Sequence, residues 1–213
     1  MKCIMIITFL CFNSYGQAQT IDRKIKNVAW IYPTNVNQVN GILFNFLSPQ
    51  NKDLFSSKPL SQNEKIKELD LKTNGLDINL DPIGLVTAPL WLIFSIYPEI
   101  HEEEFEDLDI KTAKRVNGLQ IGAEFLDSSI VNGIDINLSA SSNSRVNGIS
   151  ITPIINKDDS INGLSIAGIG NHVKNCNGLQ IALFNSCYNL RGIQLGLWNI
   201  NQKRSLPFIN WNF

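Results

Sequence analysis

The densest group of ionisable side chains in the chain is HEEEFEDLD, His101 to Asp109. One histidine and several carboxylates in nine residues could hold a divalent cation, mostly through oxygen ligands. Their spacing follows no recognised metal loop, and a solvated acidic loop or helix face is the competing reading. An envelope hydrolase built on Glu103 and its neighbours would be the enzymatic version of this site. Asp77 and Asp135 stand in the matching stretches NGLDINL and NGIDINL, which invites comparison with calcium-binding β-roll repeats. That comparison fails, because the same position reads Asp, Gln, Asp, Ser, Ser, Gln, Gln from the unit of Gly75 to that of Gly192. Such variation suits a solvent-facing polar position, one that a glycan could contact.

Other chemistry has few candidates. The histidines are His101 and His172, and the chain has no HExxH, GxSxG, P-loop or glycine fingerprint opening a helix. No catalytic, cofactor-binding or metal-ligating residue is assigned, and the chain does not read as an enzyme. Lys+Arg 18 against Asp+Glu 19, without a basic block, argues against nucleic acid as a partner.

The N-terminal stretch MKCIMIITFLCFNSYGQAQT has a lysine, an apolar run from Cys3 to Phe12, and small residues at Gly16 and Ala18. This is the pattern of a secretory signal, residues 1–18. The apolar run is about half of the ~20 residues a spanning helix needs. Lipid attachment through Cys11 is disfavoured by Leu10, which stands where a small residue should precede the cysteine. Export would leave Cys176 and Cys187, which could bridge in an oxidising compartment or remain two buried thiols.

The elements that would position these groups are written as a repeat. Asn117-Gly118, Asn132-Gly133, Asn147-Gly148, Asn162-Gly163 and Asn177-Gly178 recur at four consecutive intervals of 15 residues, and Gly192 follows after 14. Gly41 and Gly75 belong to earlier copies, so 19–115 reads as an irregular repeat region with an apolar insertion at 82–100, and 116–213 as the regular array. A unit this short cannot bury a face alone, so neighbours must stack.

After each glycine apolar and polar residues alternate, as in Leu119, Ile121 against Gln120, or Ile134, Ile136 against Asp135, which marks a strand with one apolar face. One more apolar residue stands two before each glycine: Val116, Val131, Val146, Ile161, Cys176. Two architectures fit. In an all-β parallel solenoid of about 15-residue coils, the Leu/Ile rows fill the core, asparagines stack in a ladder and each glycine adopts positive φ. In an 8-stranded outer-membrane β-barrel, the Leu/Ile face would meet lipid. The alternation lasts five to seven residues, short of the ~9–11 of a membrane strand, and the uniform spacing suits in-register stacking, so the solenoid is preferred. Val28 and Trp30 align with Ile42 and Phe44 in this reading, and the terminal LPFINWNF supplies Leu206, Phe208 and Trp211 as an aromatic cap over the last coil.

The stretches VNGLQIGAEF, CNGLQIALFN and LRGIQLGLWNINQKRSLPFINWNF resemble the bacterial surface-repeat proteins of leptospiral type, with copies like NGxQIGLxN, and similar exported Bacteroidota proteins. The resemblance covers about Val116 to Phe213 and, more weakly, Val28 to Leu47. It implies export and a location in the cell envelope, at the outer membrane or on the cell surface, and it carries no activity or cofactor. The expected role is structural or adhesive, toward an envelope or surface ligand that is a glycan or a protein. The alternative is a small barrel with a pore or assembly role.

Overall fold

The computed structural model describes residues 24–32, 36–46, 71–80, 114–122 and 129–213. The signal segment 1–18, the apolar insertion 82–100 and the acidic stretch 101–109 lie outside the described residues. Within them the chain is all β: β1 (Ile25–Tyr32), β2 (Gln38–Asn45), β3 (Leu71–Asn79), β4 (Lys114–Gly122), β5 (Ser129–Asn137), β6 (Ala140–Ser141), β7 (Arg145–Thr152), β8 (Ile155–Ala167), β9 (Gly170–Ile181), β10 (Phe184–Asn201) and β11 (Arg204–Asn212).

The ladder runs β1-β2-β3-β4-β5-β7-β8-β9-β10-β11, with β6 paired to β8. Every pairing is parallel except the last, β10 with β11. This is a β-solenoid and not a barrel, since a barrel would need antiparallel neighbours and a closing pair. Glycine stands on glycine from Gly41 to Gly192, each at φ between 130° and 149°. A Cβ added at Gly148 would sit 2.0 Å from the carbonyl oxygen of Gly133 on the preceding rung. The column is therefore glycine both for its backbone angle and for the closeness of the rung beneath.

The asparagine beside each glycine forms the expected ladder. Nδ2 of Asn40, Asn74, Asn117, Asn132, Asn147 and Asn162 each donates to Oδ1 of the asparagine one rung earlier, beginning at Asn27, over 2.7–2.9 Å. Asn177 occupies the next register position. The Asn40 to Asn27 bond also sets the first rung: Val28 stands against Gly41 and Trp30 against Leu43, one residue away from the alignment expected from the apolar pattern. Val28 has φ 86° where the later parallel rungs, from Gly41 to Gly192, have glycine.

The larger correction concerns inside and outside. The Leu/Ile rows do not fill the core. Gln120, Asp135, Ser150, Ser165, Gln180 and Gln194 are buried, at 0–1 % exposure, whereas Ile134 and Ile151 are 40 % and 37 % exposed. The apolar interior is instead the column two residues before the glycines, where Val131, Val146, Ile161, Cys176 and Leu190 pack with Val173 and Cys187. The reason is pairing across a narrow interior. Leu43 fills this column on the second strand and is fully buried, and from Asp77 onward the same column is polar. The next inward row begins Asn45, Asn79, Gly122 and later holds Thr152 and Ala167, and Ser165 Oγ reaches across to Asn171 Oδ1 at 2.7 Å. Polar side chains stacked rung on rung can satisfy one another.

The C-terminal rung also departs from expectation. β11 covers β10 as an antiparallel strand whose inward residue is Asn210, with Nδ2 donating to Gln194 Oε1 at 3.1 Å. Phe208 and Trp211 remain exposed, so the end of the stack is closed by hydrogen bonds and not by an aromatic plug.

Candidate functional site

Among the described residues, three of the four carboxylates and both thiols lie in the interior. Asp77 is not solvent-facing: its Oδ1 lies 3.5 Å from Lys114 Nζ with both side chains at 0 % exposure, and its Oδ2 accepts from Thr73 Oγ1 at 3.0 Å. Asp135 Oδ2 accepts from Asn137 Nδ2 at 2.9 Å, Asn143 Nδ2 at 2.8 Å and Ser141 Oγ at 3.2 Å. Ser141 Oγ also lies 3.3 Å from Asp158 Oδ1, which receives the Asn143 backbone N–H at 2.7 Å. One hydroxyl proton thus faces two carboxylates. Burial raises Asp158 to about 6 against the lowering effect of the Asn143 and Ser141 bonds, and the Asp159 charge adds to the rise. Donors already surround Asp135, which makes this a hydrogen-bond knot and not a cation cage. Among the described residues no group of three or more His, Cys, Asp or Glu could hold a metal ion.

A serine and a histidine do meet. His172 Nδ1 and Ser186 Oγ are 2.7 Å apart on adjacent rungs. This pair lacks the surroundings of a nucleophile and its base. Ser186 is buried, and the charge beside His172 is Lys157, whose field adds to burial in lowering the imidazole to about 4.

Further along, the interior becomes an amide ladder. Asn156 Nδ2 donates to Asn171 Oδ1, Asn171 to Asn185 and Asn185 to Asn199, over 2.8–3.0 Å. Gln194 Nε2 donates to Gln180 Oε1 at 2.9 Å. Cys176 and Cys187 are both buried and both free thiols. A hydrogen bond with Cys176, followed by burial, raises the Cys187 thiol far above its ordinary range.

What the molecule offers to a partner is its outer wall. Nine strands in register carry Ile42, Leu76, Leu119, Ile134, Ile149, Leu164, Leu179, Ile193 and Trp211 in one outward row. Two residues along lies a second row: Phe44, Ile78, Ile121, Ile136, Ile151, Ile166, Ile181, Leu195 and Ile209. All are half-buried or exposed, and neither row contains a polar residue. A partial third row adds Leu138, Leu183 and Leu197, each about half exposed. Alternation identified the residues of this wall and placed them on the wrong side. The buried Lys114, Ser141, Asn143 and Asp158 were missed entirely, since Lys114 opens its strand outside the alternating stretch and the others fall in tracts that read as polar turns. The signal that locates the inside is side-chain volume: Gly122, Ala167, Ala182 and Gly196 share the parity of the glutamines.

Comparison with protein-family models, with curated proteins and with solved structures finds no match to this chain.

Proposed function

We propose that this chain is an exported repeat protein of the cell envelope or surface, with a structural or adhesive role and no catalytic one. The observation that carries the reading is the division of its chemistry. Among the described residues Asp77, Asp135 and Asp158, the interior amides and both thiols are buried between rungs, while the exterior presents a long, uniform wall without converging polar groups. Catalytic sites need polar groups aimed into a recess that substrate can enter; extended repeat surfaces serve contact. The secretory pattern at residues 1–18 and the surface-repeat resemblance supply the location.

Fractionation of the native host tests the proposal. The protein is expected in the envelope fraction, with its mature N-terminus near residue 19. Recovery of the intact chain from the cytosol would refute export, and turnover of a glycan or peptide substrate by purified protein would refute the non-catalytic role.

A further inference from the structure

The sequence holds seven Asn-Gly pairs, from Asn40-Gly41 to Asn177-Gly178, and all of them lie on described strands. Asn-Gly is the dipeptide in which an asparagine side chain most readily loses ammonia, because glycine has no Cβ to keep the next backbone nitrogen away from the side-chain carbon. The backbone is nearly the same at every copy, with glycine φ between 130° and 149°. What distinguishes the copies is how each asparagine side chain is held. Asn40, Asn74, Asn117, Asn132 and Asn147 are held twice: Nδ2 donates to the rung before and Oδ1 accepts from the rung after, over 2.7–2.9 Å. Asn162 is held once, through Nδ2, at 2.8 Å. Among the described residues no hydrogen bond reaches the side chain of Asn177, which is exposed. Arg191, and not another asparagine, stands in the register position after it.

We infer that Asn177 is the site at which the folded chain deamidates, and that the asparagine ladder protects the other pairs. In the reaction the Gly178 nitrogen gives its proton to water and bonds to Cγ of Asn177, while the Cγ–Nδ2 bond breaks and Nδ2 leaves as ammonia with a proton from solvent. Water then opens the cyclic imide at one carbonyl or the other, giving aspartate or isoaspartate. The net change is amide plus water to acid plus ammonia, with no change of oxidation state. To reach the closing geometry the side chain must swing out of the ladder. A doubly held asparagine gives up two hydrogen bonds in doing so, Asn162 one and Asn177 none. At the usual net strength each bond slows the reaction by a factor of ~5. The aspartate product places a carboxylate in register with Arg191, whereas isoaspartate adds a backbone carbon to β9 and disturbs its pairing.

The test is ageing of the purified full chain in mildly alkaline buffer, native and in urea, followed by tryptic digestion and mass spectrometry. Cleavage after Arg145, Lys157, Lys174 and Arg191 puts Asn147, Asn162 and Asn177 in separate peptides. In native protein Asn177 is expected to convert first, Asn162 ~5-fold and Asn147 ~25-fold more slowly. In urea the three rates are expected to converge. Asn132→Ala takes the acceptor from Asn147 Nδ2 and the donor from Asn117 Oδ1. It is expected to speed native conversion at both and to leave Asn177 unchanged. Far-UV circular dichroism checks folding, and should this variant fail to fold, the order of Asn177, Asn162 and Asn147 in the unsubstituted protein decides by itself. Equal native rates at the three sites, conversion led by Asn147, or an intact native Asn177 once the chain in urea has converted would overturn the inference.

Discussion

Replacing Gly148 by alanine puts the stacking geometry to a direct test. The added Cβ would need φ near 140° and would meet the Gly133 carbonyl oxygen at 2.0 Å. A backbone angle that L residues rarely adopt costs ~1–3 kcal/mol. The contact is more than 1 Å too short, and the obstacle is the backbone of the next rung, which cannot swing aside. The ladder must open there, and weakening about two backbone bonds costs ~2 kcal/mol more. The sum, ~3–5 kcal/mol, is a large part of the ~5–15 kcal/mol that stabilises a domain. At ~2 kcal/mol per molar of urea, the middle of the usual range, it lowers the unfolding midpoint by ~1.5–2.5 M. The control is Gly170→Ala, where φ is not in the positive region and the nearest atom is His172 Nε2, a side-chain atom, at 3.2 Å. Urea titrations of both variants by far-UV circular dichroism decide the matter. Equal midpoints would refute the claim that the glycine column is set by the preceding rung.

Other expectations follow from the buried polar groups. Asp158 has its folded pKa raised to about 6, so its contribution is fully present below the ordinary carboxylate value and is lost as pH rises through about 6; roughly 3 kcal/mol of pH dependence should vanish in Asp158→Asn. His172 works in the opposite sense: held neutral and lowered to about 4, it contributes above its ordinary pKa and that contribution is lost as pH falls toward 4, ~2 kcal/mol after allowing for partial exposure. The two effects run in opposite directions over nearly the same range, about pH 4 to 6, so they largely offset in the unsubstituted protein and each emerges when the other residue is replaced. Lys114→Met leaves Asp77 charged and buried without its cation, a loss of ~3–5 kcal/mol, and pairing it with Asp77→Leu should recover most of that loss in a double-mutant cycle. Cys176 and Cys187 should resist a thiol reagent in native protein and react in urea, and rapid labelling of the native state would contradict their burial.

The repeat and the alternation were enough to read the rung, the asparagine ladder and the positive-φ glycines, because each is a local consequence of Asn-Gly recurring at one spacing. Sidedness was not read correctly. Alternation says that Leu119 and Gln120 face opposite ways without saying which way is in, and the habit of placing leucine inside decided wrongly. The register of β1 failed for a related reason: apolar matching put Val28 beside Ile42, whereas the Asn27 to Asn40 hydrogen bond puts it beside Gly41. The Asp135, Ser141 and Asp158 knot joins positions 6 and 17 residues apart across the interior, and no pattern within one repeat announces it.

Val28 gives the stack a direction of growth that is shut. At Gly41 the missing Cβ is what lets the Val28 carbonyl come close. A side chain in that column therefore occupies the place where an earlier strand would lie. At this position β1, the first of the described strands, accepts β2 on one side and carries a side chain on the other, which hinders in-register pairing of a further strand there. Along the described parallel strands the glycine column gives way to a side chain at this one valine.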